Sequence, residues 1–252
     1  MVDIFSRING KISKAVKISK KEGLMSLFYK LFLYFVKTPT MYVLNTLSSV
    51  VIFFKPKRTF YFRGKKLNYL YHRYNTTWKN ERTIEVPIAM NYIFQFKDKR
   101  ILEIGDVLAH YYTGTWDILD KYEKGNKIIN QDVIDFKPYY KYDLIISVST
   151  MEHVGFDEED KNHFKIIQAI KNIKEDCLKK GGIGIITMPL GYNPSMDKSL
   201  FNGTLNFDEK IFLKRINEKN EWKEVTENQA RYTKYGKPFN AANAIVIGII
   251  KK

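Results

Sequence analysis

Three short runs of nearly continuous apolar residues recur along the middle of the chain. They occupy residues 101–104, 142–149 and 181–189. Runs of this length, with glycine turns beside them, are typical of buried strands. Because segments of helical character separate them, they indicate a parallel sheet covered on both faces, which is an open α/β fold. Such sheets bind ligands beyond the carboxyl ends of their strands, so the residues after each run are candidates for function.

The remaining pattern predicts further elements around this sheet. Apolar positions at helical spacing predict helices at 84–96, 159–178 and 208–215. Short apolar runs predict strands at 116–120, 127–133, 221–225 and 244–250, and residues 59–66 are typical of a strand and turn. We therefore divide the chain into a helical extension, residues 1–57, and a main domain, residues 58–252. Within the domain, 58–81 form a strand and loop on the substrate side and 82–252 form the core.

The extension is basic and amphipathic. Residues 1–60 hold eleven basic residues against two acidic ones, and two interrupted apolar stretches follow the first lysines. Neither stretch approaches the roughly 20 apolar residues that a transmembrane helix needs. No small-residue cleavage site follows them, which argues against a secretory signal. Two interpretations stay open: helices packed on the domain as a lid or homodimer surface, or an anchor that lies on a membrane surface.

Composition narrows the class of protein. The net charge is +15, which attracts anionic membranes, nucleic acid or acidic glycans without choosing between them. The single cysteine, Cys177, falls at helical spacing behind apolar residues, so we predict a buried core thiol, and a reducing cytoplasm fits this. The four histidines have no metal-ligand spacing, and we predict no metal site.

Acidic residues end two of the predicted strands. Asp120 lies 15 residues beyond Gly105, close to the spacing at which a carboxylate accepts hydrogen bonds from a ribose diol. Asp132 ends the next strand. Together with Glu103-Ile104-Gly105, the run 142–147, Met151-Glu152-His153-Val154 and a Gly-Gly pair before a later strand, this order resembles the class I S-adenosylmethionine-dependent methyltransferases.

The resemblance implies a Rossmann-like, seven-stranded sheet of order 3-2-1-4-5-7-6, with the last strand antiparallel and helices on both faces. It also implies a site for S-adenosyl-L-methionine, with S-adenosyl-L-homocysteine as product. The cofactor residues that it implies are Glu103, Gly105 and Asp106 at the turn under the methionyl part, Asp120 on the ribose, Asp132 and Val133 at the adenine, and Ser149 near the sulfonium. One departure is that Val107 and Ala109 stand where the family usually has glycine.

A narrower resemblance concerns the substrate. The segments 80–82, 106–111 and 189–194 are similar to bacterial and archaeal methyltransferase-like proteins of surface-polysaccharide gene clusters. This implies O-methylation of a saccharide or phosphate-type group of a capsular or other cell-surface glycan, or of its precursor. The acceptor is then a small molecule, a sugar nucleotide or a glycan, and the site is cytoplasmic or at the inner face of the membrane.

The chemistry needs an aligned nucleophile and, for a sugar hydroxyl, a base. His153 follows the fourth core strand and His110 follows the glycine turn; we favour His153, although a Glu-His pair here equally suits a helix cap. Candidate substrate contacts are Tyr192, Asn193, Arg82, Glu81 and Asn75, of which Arg82 suits a phosphate or carboxylate.

Two other functions stay open. The charge motivates a nucleic-acid methyltransferase, but no Asn-Pro-Pro-Tyr type motif follows the fourth strand, so we expect no specific nucleic-acid partner. Val107 and Ala109 motivate a non-catalytic scaffold protein on a degenerate methyltransferase fold, because side chains there push a ligand away from the backbone or require a changed turn.

Overall fold

A computed structural model describes residue 52 and residues 54–252 of the chain. The predicted helices of the extension lie outside the described residues. Residues Pro56–Lys252 form one compact unit. In the described part of the chain, no helix combines the length and hydropathy that crossing a bilayer requires.

The unit begins with a hairpin and a helix. Strands β1 (Thr59–Phe62) and β2 (Lys65–Asn68) pair in antiparallel fashion as a separate two-stranded sheet. A 3-10 helix, Tyr74–Lys79, and helix α1 (Arg82–Gln95) follow. The helix predicted for residues 84–96 is therefore present. It begins at Arg82, so Pro87 lies inside the helix and not near its start, and proline at this position cannot donate the i→i−4 hydrogen bond.

The remaining strands form one eight-stranded sheet. They are β3 (Ile101–Ile104), β4 (Asp117–Leu119), β5 (Ile128–Ile129), β6 (Tyr142–Val148), β7 (Leu178–Pro189), β8 (Glu209–Arg215), β9 (Trp222–Val225) and β10 (Ala244–Lys251). Their order is β5-β4-β3-β6-β7-β10-β8-β9. The five strands from β5 to β7 are parallel, and β10 is antiparallel to β7 and β8. The predicted order 3-2-1-4-5-7-6 is thus confirmed, with β9 as an additional antiparallel edge strand.

Two helix predictions differ from the structure. The stretch 208–215 is not helical but forms strand β8, because residues 209–214, with the apolar centre 211–213, pair with β10 at six positions. The helix predicted for 159–178 is shorter: α2 spans Lys165–Asn172 and continues as a π-helix, Ile173–Cys177. Helices α3 (Pro194–Phe201) and α4 (Glu227–Ala230) complete the fold.

The apolar run of β6 is continuous because both of its faces are covered. Ile145 packs in a cluster with Ile166 and Ala169 of α2, whereas Leu144 and Ile146 pack in a second cluster with α1. Cys177 is fully buried in the first cluster, as predicted, and burial raises the pKa of its thiol to about 12. With α1 and α2 on opposite faces, the carboxyl ends of the parallel strands remain open at one edge of the sheet.

Candidate functional site

Two adjoining cavities lie beyond the carboxyl ends of β3 to β6. The first, about 330 Å³, has apolar walls that include Ile104, Leu119 and Val133, and we call it the apolar cavity. The second, about 260 Å³, is lined mainly by polar and aromatic side chains, and we call it the polar cavity. Gly105 and Thr150 line both cavities, so the two form one crevice at the edge where open α/β sheets bind ligands.

The glycine turn after β3 is held from below by Glu103. One carboxylate oxygen of Glu103 accepts the backbone N–H groups of Val107 at 2.8 Å and Leu108 at 2.6 Å. The other oxygen accepts the indole N–H of Trp116 at 2.8 Å. Burial raises the pKa of Glu103 to about 7, although these three donors lower it. Because both oxygens are occupied, Glu103 shapes the turn and is not free to bind a ligand.

Gly105 brings this turn close to the strand beside it. Its φ is +87°, a conformation that side chains rarely adopt, and a Cβ there would lie 2.2 Å from Oγ1 of Thr150. The chain then enters a 3-10 helix, Leu108–His110, so Val107 and Ala109 occupy a different turn from one with three glycines. Val107 lines the polar cavity, whereas Ala109 is exposed and is part of neither cavity wall.

Asp120 stands at the junction of the two cavities. It follows β4 directly and lines both of them. Its Oδ1 accepts the backbone N–H groups of Tyr122 at 2.7 Å and Glu123 at 2.8 Å, which fixes the loop. Oδ2 makes no hydrogen bond to any described residue, so this oxygen is available to a hydroxyl-bearing ligand.

Two lysines and two carboxylates form a charged cluster at the wall of the apolar cavity. Lys121, Asp132 and Glu158 line the cavity, and Lys165 lies behind them. The Lys165 ammonium, which is buried, lies 2.6 Å from Asp132 and 2.5 Å from Glu158. Lys121 contacts the same two carboxylates at 2.9 and 2.8 Å. Burial alone would raise the pKa of Asp132, but the two lysines bring it below its ordinary value. Asp132 is thus an ionised wall residue, next to the buried side chain of Val133.

His153 is the histidine of the apolar cavity. Its Nδ1 is hydrogen-bonded to Oδ2 of Asp157, and the Tyr192 hydroxyl donates to the same oxygen at 2.7 Å. The Tyr192 ring meets the imidazole edge-on, with centroids 5.0 Å apart. Nε2 of His153 lies 3.5 Å from Oε1 of Glu152, whose pKa burial raises well above its ordinary value. Tyr192 therefore restrains His153 through Asp157 and through the ring contact, and it does not line either cavity.

His110 lies at the rim of the polar cavity. It is exposed and stacks on Tyr74, with ring centroids 4.2 Å apart and 16° between the planes. Tyr111 meets Tyr74 edge-on. Asn75 lies beside this pair with φ +53°, and its backbone carbonyl accepts a hydrogen bond from the side-chain amide of Asn80. The rim thus combines flat aromatic faces with polar groups.

A buried polar cluster underlies the polar cavity. Nη1 of Arg82 lies 2.5 Å from Glu85 Oε2, and Glu85 Oε1 accepts the hydroxyls of Ser149 and Thr187, both at 2.8 Å. Glu81 is also buried and accepts the backbone N–H of Ala242. Arg82 lines the polar cavity, but Ser149 and Glu81 face this cluster and line neither cavity.

Of two further predicted site residues, one binds within the protein and one lines the crevice, and two unpredicted residues line the crevice as well. Asn193 caps α3, since its Oδ1 accepts the N–H groups of Ser195 and Met196 while its Nδ2 donates to the Glu152 carbonyl. Asp106 lines the polar cavity, and its buried Oδ1 has no hydrogen-bond partner. Thr150 and Lys121 were missed, although both directly follow residues at predicted strand ends.

Other members of these networks carried no sequence signal of their own. Glu85 lies in an apolar helix segment, and Asp157 and Glu158 lie in a polar loop. Each also has a partner distant in sequence, namely Thr187 for Glu85, Tyr192 for Asp157 and Lys121 for Glu158, so pattern alone does not assemble the networks. Within residues 54–252, no group of three histidine, cysteine or acidic side chains is placed to hold a metal ion.

Comparison with protein-family models and with curated proteins found no match. Comparison with solved structures found similarity to a SAM-dependent methyltransferase from Archaeoglobus fulgidus, with 14% identity, TM-score 0.42, and coverage of 71% of this chain and 98% of that one. The N-methyltransferase NodS from Bradyrhizobium japonicum, in complex with S-adenosyl-L-homocysteine, is 11% identical with TM-score 0.37, covering 68% and 91%. An S-adenosylmethionine-dependent methyltransferase from Clostridium acetobutylicum is 11% identical with TM-score 0.34, covering 66% and 91%.

Proposed function

We propose that this chain is an S-adenosylmethionine-dependent methyltransferase that O-methylates a saccharide. The observation that carries the proposal is the two-part crevice: an apolar compartment bounded by Asp120 and Asp132, joined to a polar compartment at Gly105 and Thr150. Small-molecule sites typically have volumes of about 300–1,000 Å³ and a few placed polar groups, and the joined cavities have this character.

The residues present fit the cofactor. The apolar walls of the first cavity suit a purine, and the unpartnered Oδ2 of Asp120 suits a ribose diol. In the polar cavity, the unpartnered Oδ1 of Asp106 is a buried acceptor that suits an ammonium group. When bound, the cofactor supplies a methyl group on a positively charged sulfur, which a nearby nucleophile displaces in line.

Proton removal falls to His153 for an acceptor hydroxyl that reaches the junction of the two cavities, because His153 lines the apolar cavity together with the junction residue Thr150. Its Nδ1 is held by Asp157, which fixes the ring and stabilises the charge that forms when Nε2 takes up a proton. Tyr192 shares the Asp157 carboxylate and restrains it. The half-exposed imidazole then releases the proton to solvent.

The lining of the polar cavity favours a hydroxyl acceptor. The stacked Tyr74 and His110 offer a flat apolar face to a sugar ring, and Asn75 offers an amide to its hydroxyls. Asp106, Asp120 and Glu123 line the same cavity, and Arg82 is already paired with Glu85. This balance disfavours a phosphate oxygen relative to the hydroxyl of a cell-surface glycan or its precursor.

Calorimetry with S-adenosyl-L-homocysteine tests the cofactor assignment. We expect saturable binding to the wild-type protein and at least a tenfold weaker Kd for Asp120→Ala. Asp135→Ala is the matched control, because this exposed aspartate lies outside both cavities, and its Kd should change less than twofold. No binding to the folded wild-type protein at 1 mM ligand, or equal effects of the two substitutions, would contradict the proposal.

The acceptor assignment has a separate test. Transfer of a labelled methyl group from the cofactor would be measured with a panel of free sugars and nucleotide sugars. We expect label in at least one hydroxyl-bearing sugar and a loss of more than 100-fold in rate with His153→Gln. Label only in an amine or in RNA would replace the saccharide by another acceptor class.

A further inference from the structure

A third cavity lies at the other end of the strands, beside the amino ends of β3 and β4. Its volume is about 590 Å³, and it lies between the carboxyl-terminal half of α1 and the segment that leads into β4. We call it the rear cavity. Its apolar and aromatic walls come from Met90, Ile93, Phe94, Tyr112 and Trp116. Phe94 is 66% exposed, which places a bare aromatic ring at the mouth of a recess.

The rim of the rear cavity is basic. Lys97, Lys99 and Arg100 line it against a single acid, Asp117. Asp117 is already engaged, since Arg100 lies 3.2 Å from its Oδ2 and the Tyr142 hydroxyl donates to the same oxygen at 2.8 Å. Among residues 54–252, neither lysine ammonium has a carboxylate within 4 Å. Lys99 lies near enough to Asp143 to contribute to the lowered pKa of that carboxyl. Two cations without a close carboxylate partner among these residues therefore border an aromatic recess, which suits a ligand with a flat ring and negative charge.

The rear cavity is connected to the glycine turn through one side chain. Trp116 lines the cavity, and its indole N–H donates to Glu103 at 2.8 Å. The other oxygen of Glu103 holds the N–H groups of Val107 and Leu108 in the turn. The ring packs closely against Gly114, where a Cβ would lie 2.0 Å from it. A ligand that moves the indole therefore acts on the turn through a single carboxylate.

We infer that the rear cavity binds a nucleoside diphosphate, with its base among Phe94, Tyr112 and Trp116 and its phosphates at Lys97 and Lys99. Its occupancy is coupled to the glycine turn through Trp116 and Glu103. The binding stands on the cavity alone, whereas the coupling rests on the proposed function, which places the cofactor on that turn. A free-energy coupling between two sites is reciprocal, so each ligand changes the affinity of the other by the same factor.

Calorimetry on the full chain with uridine diphosphate, pyrophosphate and uridine tests the binding. We expect uridine diphosphate to bind most tightly, because only it uses both the cations and the rings. Lys97→Ala with Lys99→Ala should weaken it at least tenfold, while the matched pair Lys65→Ala with Lys66→Ala, two exposed lysines of β2, should change it less than twofold. Asp120→Ala should leave it unchanged, which separates this site from the crevice.

Three results would overturn the inference. The first is no binding of any of the three probes at 5 mM. The second is equal binding to the two lysine-pair variants. The third is a Lys97→Ala, Lys99→Ala protein with unchanged affinity and a lowered Tm, since the lysines would then serve the negative carboxyl end of α1.

The coupling is tested with Trp116→Phe, which keeps an aromatic ring but removes the N–H donor. In the wild-type protein, saturating uridine diphosphate should change the Kd of S-adenosyl-L-homocysteine at least threefold. In the variant this factor should fall below 1.5, while the Kd for uridine diphosphate stays within threefold. A wild-type factor of one refutes the coupling. Binding of uridine diphosphate without any binding of S-adenosyl-L-homocysteine would instead refute the proposed function and leave the rear site standing.

Discussion

The guanidinium of Arg82 is paired with the carboxylate of Glu85, one turn further along α1 and fully buried, with Nη1 and Oε2 2.5 Å apart. Through its other oxygen, Glu85 receives the hydroxyls of Ser149 and Thr187 at the ends of β6 and β7. A single ion pair thus fastens the first helix of the core to the edge of the sheet that carries the crevice. Glu81 and Glu152 add two more buried carboxyls nearby.

Arg82→Met should be severely destabilising. It removes the cation from a buried group of three carboxyls, and breaking a buried pair by removing one partner costs roughly 3–5 kcal/mol. Arg231→Met is the matched control, because the pair of Arg231 with Glu227 is partly exposed, and exposed pairs contribute at most about 1 kcal/mol. Urea unfolding at pH 7 measures both. A loss for Arg82→Met no larger than that of the control would contradict this role.

The same variant should respond to acid. Burial raises the pKa values of Glu81 and Glu152, so the native protein takes up protons at a higher pH than the unfolded chain does. Protonation removes the unpaired charges that Arg82→Met leaves behind. The difference in unfolding free energy between wild type and variant should therefore shrink as the pH falls from 7 to 5. A constant difference would show that lost packing causes the destabilisation.

Glu103 should give the protein a pH dependence of opposite sign to ordinary acid unfolding. Its pKa is about 7 in the native state, against an ordinary value of 4.5. The native state therefore binds more protons between these values, and this contribution is complete below pH 4.5 and is lost as the pH rises through 7. The size is on the order of 3 kcal/mol.

Glu103→Gln tests this contribution. The amide does not titrate, so the unfolding free energy of the variant should fall less steeply between pH 5 and pH 8 than that of the wild type. Glu123→Gln, at an exposed position, should run parallel to the wild type throughout. Parallel curves for Glu103→Gln as well would show that Glu103 stays ionised over the whole range.

The strands with continuous apolar runs could be predicted because burial on both faces leaves a pattern in the sequence. β6 and β10 are examples. β8 could not, since Ile211, Phe212 and Leu213 flanked by charges suit one turn of a helix as well as a strand. Only its pairing with β10 decides, and that partner lies about 30 residues away.

The site shows a similar division. Asp120 and Asp132 could be placed at one crevice from their positions after strands. Their partners could not be predicted, because Lys165 is 33 residues from Asp132. Ser149 and Thr150 differ by one position, yet only Thr150 lines the crevice. Ser149 adopts φ +38° and turns its hydroxyl to Glu85, a local conformation that no pattern in the sequence encodes.

Asn193→Ala should destabilise the protein by about 2 kcal/mol. It removes the cap of α3, worth about 1 kcal/mol, and leaves the buried Glu152 carbonyl without the amide donor, at a similar cost. Asn193→Ser should recover the cap but not the hydrogen bond to the Glu152 carbonyl. Its stability should therefore lie between that of the wild type and that of Asn193→Ala. Thermal unfolding measures the series. Equal Tm values for the Ala and Ser variants would show that the cap contributes nothing.

Gly105→Ala should damage the crevice more than the fold. The substitution meets two obstacles: a φ of +87°, which costs an L-residue about 1–2 kcal/mol, and the contact with Thr150 Oγ1 at 2.2 Å. Gly181→Ala is the matched control, because Gly181 has a φ of +79° and no atom within 4 Å of its Cβ position. Backbone strain should lower the unfolding free energy of both variants by a similar amount. Only Gly105→Ala should weaken S-adenosyl-L-homocysteine binding, by more than tenfold.

A second substitution separates strain from collision. Thr150→Gly in the Gly105→Ala background removes the side chain that the new methyl group meets, while the strain of φ remains. The double variant should therefore be more stable than the sum of the two single effects, because the residues are in contact. Its unfolding free energy should approach that of Gly181→Ala once the separate cost of Thr150→Gly, measured in the single variant, is subtracted. Strict additivity would show that the turn after β3 moves away from Thr150, and the junction of the two cavities would then not depend on a glycine at position 105.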